Sequence, residues 1–430
     1  MPPLRTGVAA CSRDLVARLS DGFHLDVFVD EAQPGGDARE RPAHEFVWRQ
    51  RRQRYDLVVY QVGNSAHHEF VWPYLFRYPG LLVLHDARLH HARAAALLRA
   101  NRAGDYRAEF AASHPDLSPD LAELAVRGFD NALYYRWPMT RLAVRASRTT
   151  AVHSRYLADE LRAENPGAHV ELIRLGHGSP EAAPDARPKI RARYGIADDA
   201  VVFGCFGGLS PEKRLPQVLR AFARLRARLP AVHLLLVGAE AAHAPLTGEI
   251  ARAGLDGSVT RTGYVDDEAL SSCLAATDVG VMLRWPTARE ISGPWLRCLA
   301  LGLPTITVRL RQLLEVPALD PRTWQPFARA GGDLPVTVAV DILDEDHSLG
   351  LAMQRLAVDG RLRESVGRAA SEYWARHHSP DAMAEDYRRV MGQAIARPDP
   401  EPPLPPHLIN DGDRRLGRLL EPFGLSSPLG

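Results

Sequence analysis

Lysine occurs at only two positions in this chain, Lys189 and Lys213, although lysine and arginine together number 53. Lys213 falls in the run Val201–Leu229, VVFGCFGGLSPEKRLPQVLRAFARLRARL. An apolar, β-branched stretch there runs into Gly207-Gly208, and the pattern predicts a helix opening at Ser210-Pro211-Glu212. Ser210 suits an N-cap and Pro211 the first helical position. Leu215, Val218, Leu219, Phe222 and Leu225 recur at helical spacing and form the expected buried face. A helix that starts at the carboxyl end of a strand aims free amides and its positive dipole end at one point, which is an anion site. A cation such as Lys213 in that first turn opposes the dipole, and a bound polyanion removes the conflict. A merely solvated Lys213 is the plain alternative.

A second constellation lies in TGYVDDEALSSCLAATDVGVMLRWPTAREISGPWLRCLALGLPTITV. A strand ends near Leu283, and a helix is expected close to Ser292-Gly293-Pro294. Glu290 precedes that helix by a few residues, where a carboxylate can accept hydrogen bonds from sugar hydroxyls. The amides of Ser292 and Gly293 could hold phosphate or a hydroxyl. Helix-dipole stabilisation without a ligand is the alternative for Glu290.

The first half offers polar residues at strand ends. Gly7 permits close backbone approach, or serves an ordinary turn. Asn64, His67 and His68 follow one strand candidate, and His85 and Asp86 follow the next. His85, Asp86, His90 and His91 could be read as a metal site, but His90 and His91 would face different sides of a helix, so no metal is expected. Arg5 and Arg155 could face a diphosphate. Trp72, Tyr74 and Phe76 read as packing residues.

The elements that would hold these residues include strand candidates at His24–Val29, Leu57–Val62, Leu81–Leu84, Thr149–Val152 and Val170–Ile173, then Val201–Phe206, Val232–Val237, Val259–Thr262, Val279–Leu283 and Thr305–Val308. Apolar runs alternating with helical patterns suit parallel sheets covered on both faces. With 430 residues, two doubly wound α/β domains are expected, one over 1–183 and one over 184–378. Leu84 to Thr149 brackets a largely helical insertion, broken at His114-Pro115 and Ser118-Pro119. Glu31–Pro42 reads as a polar loop containing Pro34, Gly35 and Gly36. Residues 345–395 read as consecutive helices, with 379–396 a helix that could cross back to the first domain, and the Pro-rich 397–430 as a poorly ordered tail. A doubly wound domain normally opens with a strand. Here Pro2-Pro3-Leu4-Arg5-Thr6-Gly7 reads as a loop feeding a helix over Cys11–Leu19, so the first strand is expected to be missing, by a late start assignment in preference to true loss.

Composition excludes several classes. Hydrophobic residues make up 46% and charged residues 24%, which argues against a disordered chain, a coiled coil or collagen. The formal net charge of +1 gives no reason to expect a nucleic-acid binder. Cys11, Cys205, Cys273 and Cys298 lie far apart, with no CxxC, which suggests a reducing compartment. No apolar run reaches the ~18–20 residues of a membrane helix and no signal segment is evident, so a cytoplasmic location is expected.

The second half resembles the C-terminal domain of the glycosyltransferase family 4 enzymes, retaining sugar transferases of the GT-B fold. The resemblance rests on Gly207, Leu209, Glu212 and Lys213, then Gly263-Tyr264-Val265, Thr277-Asp278-Val279, Glu290 and Gly302-Leu303-Pro304. The first half is similar, more loosely, to the N-terminal domain of the same enzymes. The resemblance implies two Rossmann-like domains facing a cleft. A nucleotide-diphosphate sugar would bind the second, at Gly207, Gly208, Lys213, Tyr264, Glu290, Ser292 and Gly293. The acceptor would enter beside Gly7, Asn64, His67 and Asp86. Lys213 would stabilise the diphosphate, Glu290 hold the donor sugar, and His85 line the anomeric centre. The acceptor could be a saccharide, lipid-linked or a small molecule, with peripheral membrane contact. Two departures stand out. Gly208 replaces an expected arginine, and Cys298 replaces the second glutamate, although Glu290-Ile291-Ser292-Gly293 is similar to a variant motif of bacterial members. These departures also admit a non-catalytic nucleotide-sugar-binding or partner subunit. A phosphorylase or epimerase of similar architecture fits the motif series less well.

Overall fold

The computed structural model describes residues 7–31, 37–129, 132–241, 245–327, 334–410 and 413–425. Pro34-Gly35-Gly36 and the residues before Gly7, Arg5 among them, lie outside that set. The chain divides into two compact units, Met1–Arg174 with Ala288–Glu290 and Ala384–Gly430, and Leu175–Thr287 with Ile291–Met383.

The first unit opens with α1 (Gly7–Leu19), which buries Cys11, Leu15 and Leu19 at four-residue spacing. β1 (Val27–Val29) pairs in parallel with β2 (Glu40–Pro42) in a small separate sheet. The expected strand over His24–Val29 is thus shortened, and the expected polar loop ends in a strand. A four-stranded parallel sheet follows, in the order β3 (Val59–Val62), β4 (Leu81–Leu84), β5 (Thr149–Val152), β6 (Val170–Leu172). All residues of β4 and β5 are buried, as strands covered on both faces require. α2 (Phe46–Arg52) and α3 (Val71–Arg77) precede β4. Trp72 and Phe76 are buried on α3, and Tyr74 packs edge-on against Phe46. The helical insertion is α4 (His90–Arg99), α5 (Ala103–Ser113), α6 (Asp120–Val126), α7 (Ala132–Arg136) and α8 (Arg141–Arg145). α9 (Arg155–Glu164) is capped by Ser154, whose hydroxyl accepts from the Leu157 amide at 3.3 Å.

The second unit holds a seven-stranded parallel sheet built from β7 (Val201–Phe206), β8 (Val232–Val237), β9 (Val259–Arg261), β10 (Val279–Met282), β11 (Thr305–Val308), β12 (Ala318–Leu319) and β13 (Thr337–Val340). Its order is β12-β13-β11-β10-β7-β8-β9. The helices are α10 (Ala186–Arg193), α11 (Leu215–Arg226), α12 (Thr247–Arg252), α13 (Asp267–Ala275), α14 (Gly293–Ala300), α15 (Glu345–Val358) and α16 (Gly360–His377). Leu215, Val218, Leu219, Phe222 and Leu225 form the buried face of α11, as their spacing requires.

α17 (Pro380–Ile395) belongs to the first unit from Ala384 onward. The tail expected to be poorly ordered instead packs onto that unit through residue 409, and continues in helices α18 (Pro406–Ile409) and α19 (Asp413–Leu420). Leu404 and Leu408 pack on its core, Arg148 pairs with Asp399 at 2.5 Å, and the His407 ring lies 2.9 Å from Glu109 Oε1. No described helix is long and apolar enough to cross a membrane.

Candidate functional site

In the second unit the chain leaves β7 toward β8 and β9 on one side, and later returns on the other side through β10, β11 and β13. β7 and β10 are neighbours, with Val279 opposite Phe203. The loops at their carboxyl ends therefore diverge, which opens a crevice where ligands bind in such sheets.

Three elements meet at that point. Gly207, just past β7, has φ +85, and a Cβ there would come within 3.1 Å of Lys213 Nζ and 3.2 Å of Pro294 Cγ. Both the left-handed backbone and the close approach require glycine. The Lys213 ammonium donates to the Phe206 carbonyl, the last residue of β7. The lysine is half-buried, and burial, helped by repulsion from Arg284, pulls its pKa from its ordinary 10.5 to about 8. Two ties fix the loop. The Trp285 amide donates to Glu212 O at 2.6 Å, and Arg214 pairs with Glu345 at 2.5 Å.

The local structure differs from the expected helix start. Pro211–Lys213 is a single 3₁₀ turn, and Ser210 makes no side-chain cap bond. Arg214 then takes a left-handed conformation at φ 60, and α11 begins only at Leu215. Lys213 therefore stands ahead of the helix and does not oppose its dipole from within the first turn. The helix terminus that reaches the site is that of α14. Ser292 caps it, its hydroxyl accepting from the Trp295 amide at 3.4 Å. Pro294 has no amide hydrogen, so Gly293 is left as the first-turn donor aimed past the helix end. A Cβ on Gly293 would touch the His177 ring at 3.4 Å.

Gly208 faces open space, with nothing within 4 Å of a Cβ. Tyr264 is 50% exposed and follows Gly263, whose φ is +68. Gly263 bridges to Gly238, and a Cβ on Gly238 would strike Gly207 O at 2.3 Å. Gly207, Gly238 and Gly263 thus continue the carboxyl ends of β7, β8 and β9. Gly238, Arg284 and His177 join the site without having been singled out in the sequence, and Pro294, expected only at the helix start, packs beside Gly207. A glycine directly after the apolar run Val232–Val237 was the one available signal.

Cys298 is completely buried and packs against the Gly280 backbone, its Sγ 3.1 Å from a Cβ position there. Burial pushes its thiol up to about 12, against the opposing pull of Lys213. Arg297 is buried and donates to Asp267 at 2.9 Å. Glu290 belongs by its contacts to the first unit. Its segment is anchored there by the Ala87 amide donating to Ala288 O at 2.9 Å, and by left-handed Arg289 (φ 65), which pairs with Glu160.

In the first unit His85 ends β4, and its amide donates to Val62 O at 2.8 Å. Its Nδ1 lies 3.2 Å from His153 Nε2, and its Nε2 lies 2.7 Å from Gln61 Oε1. His153 Nδ1 lies 2.9 Å from the Ile173 carbonyl, so Nδ1 carries that ring's proton and Nε2 accepts from His85. The Gln61 amide also reaches the Tyr387 hydroxyl, at 3.0 Å from Nε2 and 3.2 Å from Oε1, so Gln61 joins His85 to Tyr387. Burial, then the neighbouring His153 and His68, hold His85 neutral, far below the usual histidine range. Both its nitrogens are thus engaged inside the unit.

Asp86 accepts the Asn64 amide at 2.6 Å, and Asn64 Oδ1 accepts the Ala92 amide at 2.9 Å, in the first turn of α4. His68 sits 3.0 Å from Gln61 O and is pushed to about 4 by burial, while His67 is exposed. Gly7 opens α1 and is exposed, with no protein atom within 4 Å of a Cβ there. Arg155 is exposed at the first position of α9. Among the described residues no group of three His, Cys, Asp or Glu side chains could hold a metal ion, and His90 is instead buried 2.7 Å from the Tyr106 hydroxyl.

Residues 200–322 match the family described as glycosyl transferases group 1. The GDP-mannose-dependent alpha-(1-6)-phosphatidylinositol monomannoside mannosyltransferase of Mycolicibacterium smegmatis is 29% identical over 238 residues, 52% of this chain and 62% of that protein. The chain thus spans less than two thirds of the length of that relative. Two solved structures share the fold at a TM-score of 0.60. The sucrose-phosphate synthase of Thermosynechococcus elongatus is 16% identical, covering 89% of this chain and 92% of that one. WaaG, a glycosyltransferase involved in lipopolysaccharide biosynthesis, is 13% identical, covering 90% and 96%. Anabaena HepE, solved with UDP-glucose, matches at a TM-score of 0.53 and 16% identity, with coverage of 90% and 96%. The chain therefore has the GT-B fold, and its residues 200–322 carry the group 1 glycosyltransferase pattern on the sheet edge where Gly207, Lys213 and α14 meet.

Proposed function

We propose that this protein is a glycosyltransferase that moves a sugar from a nucleotide-diphosphate sugar to an acceptor hydroxyl with retention. The observation that carries the reading is the convergence of Gly207, the Lys213 ammonium and the α14 terminus at the switch point between β7 and β10. A diphosphate there meets a cation, a glycine that lets it approach the backbone, and an aimed helix amide. Gly208 and Tyr264 border the same edge and would contact the nucleotide. Glu290 would hold the donor sugar, and His85, held neutral and fixed in orientation, would line the anomeric centre. Gly7, Asn64, His67 and Asp86 would serve the acceptor side. In this mechanism the C1–phosphate oxygen bond breaks while the acceptor oxygen bonds C1 on the same face, and the acceptor proton passes to the leaving diphosphate. The protein stabilises that leaving charge and positions the acceptor, so neither a metal nor a separate base is required.

The donor domain of this reading is 184–378, the acceptor domain 1–183, and the site of action the bacterial cytoplasm. GDP-mannose and UDP-glucose are the first donors to try, from the names of the relative and of the HepE complex. A lipid-linked saccharide is the first acceptor, in glycoconjugate or polysaccharide synthesis. Release of nucleoside diphosphate from each donor tests the reading: turnover that Lys213→Ala and Glu290→Ala abolish supports it. A second reading, a non-catalytic nucleotide-sugar-binding subunit, is favoured by the sealed Cys298 and the bare Gly208. Donor binding without turnover by any acceptor selects it.

A further inference from the structure

The switch point of the second unit draws positive charge from more than one strand end. β10 runs beside β7, with Val279 opposite Phe203 and Gly280 opposite Gly204. Carried forward, that register sets Met282 beside Phe206 and Arg284 beside Gly208. The apolar packing agrees with it. Phe206 and Met282 pack in one cluster with Cys298 of α14, while Phe203, Val279, Val281 and Leu283 pack in a second cluster. Side chains alternate between the two faces along a strand, so Arg284 falls on the face of the sheet that α14 covers.

Arg284 therefore stands one strand over from Gly208, the position where the family resemblance implies an arginine. Neighbouring strands lie about 4.8 Å apart, within the reach of an arginine side chain. The loops are also joined backbone to backbone. The Trp285 amide donates to Glu212 O at 2.6 Å, which ties the residue after Arg284 to the residue before Lys213. Guanidinium and ammonium thus come to the same edge, beside the open space that Gly208 leaves.

The groups that act on the Lys213 charge come from β7, α14 and the end of β10. Cys205 and Cys298 are thiols that burial pushes up to about 12, so both are neutral there. Arg284 is the charged one, and it repels. Like charges brought together are unfavourable, and the α14 terminus adds a further positive feature through the Gly293 amide. A monophosphate is served by one cation and one helix terminus. A second cation at this edge suits an anion that extends from one strand end to the next.

We propose that Arg284 is a second cation for the donor: Lys213 and the α14 terminus hold one phosphate, Arg284 holds the next, and the site selects nucleoside diphosphates over nucleoside monophosphates. The inference rests on the reading of this edge as a nucleotide-sugar site. An arginine fits the role because its planar fork binds two phosphate oxygens at once. Gly208 is then bare because the charge arrives from the neighbouring strand end.

Calorimetry of GDP and UDP against GMP and UMP at pH 7 tests this. At least one diphosphate should bind the wild-type chain about tenfold or more tighter than its monophosphate. Arg284→Gln should bring that ratio to about threefold or less, with monophosphate affinity little changed. Arg284→Lys should keep most of the preference. Adding Gly208→Arg to Arg284→Gln should restore it, since the cation returns to the same edge from the β7 side, which a variant that had lost its fold could not do. An unchanged ratio in Arg284→Gln, an equal loss of both nucleotides, or a ratio that Gly208→Arg leaves collapsed would overturn the proposal. If Lys213→Ala weakens diphosphate binding in any of those cases, the nucleotide-sugar reading stands without Arg284. If neither GDP nor UDP binds the wild-type chain, both fall.

Discussion

Lys213 sits at the centre of the site because its ammonium is held near its proton-loss point. With a pKa near 8, it is largely charged at pH 7 and largely neutral at pH 9.5. A nucleotide diphosphate stays ionised across that range, so its affinity should fall by about tenfold or more between those two values in calorimetry, and that fall should disappear in Lys213→Arg. Unfolding does not mimic the effect. Between about 8 and 10.5 the unfolded chain binds more protons at this residue than the folded one, so its contribution to stability rises with pH over that window. Gly208 offers a second prediction. A Cβ there meets nothing within 4 Å and the residue needs no left-handed backbone, so Gly208→Arg should fold normally and tighten donor binding several-fold. Weaker binding would show that position 208 does not face the diphosphate. Lys213 was legible in the sequence because lysine is so scarce here, and Gly207 because it follows a strand. The left-handed Arg214 and the role of Pro294 were not legible, since neither residue type signals its backbone angle or a neighbour 87 positions away, as Gly207 is from Pro294.

At the scale of elements, the parallel strands were readable from apolar runs alone, and Leu81–Leu84, Val201–Phe206 and Thr305–Val308 fall where the runs place them. β2 was not, because Glu40-Arg41-Pro42 has no apolar pattern and exists only through its pairing with β1. The C-terminal segment misleads for a related reason. Proline-rich composition signals a linker, yet Leu404 and Leu408 find apolar surface and His407 finds the Arg93–Glu109 pair, which is buried at 2.5 Å. Ending the chain at Arg397 should therefore destabilise the first unit by ~2–4 kcal/mol from lost apolar burial, read in urea unfolding, where a disordered tail would cost nothing. Glu109→Ala leaves Arg93 buried without its carboxylate and should cost ~3–5 kcal/mol. Hydrogen bonds from His407 and Arg93 outweigh the burial that would raise the Glu109 pKa, so the carboxylate stays charged in the folded state and this stability is lost as pH falls through its lowered pKa.

For the whole molecule, the alternation of strands and helices announces two α/β units, and the sheet order of the second then says where it would bind. In the second unit the switch point is occupied by chemistry: a cation, a glycine and a helix terminus. Sequence could not locate that switch point, because strand order is set by crossovers between residues far apart in the chain. Nor could it show that the Ala288–Glu290 segment anchors in the first unit while Ser292 and Gly293 belong to the second. The proposed function stands on the β7–β10 edge binding a nucleotide diphosphate through Lys213. Its most direct test is titration calorimetry of GDP-mannose and UDP-glucose against the wild-type chain and Lys213→Ala at pH 7. At least one donor should bind saturably, weakened by about 50-fold or more in Lys213→Ala with the melting temperature preserved. Equal affinity in the two proteins would contradict it.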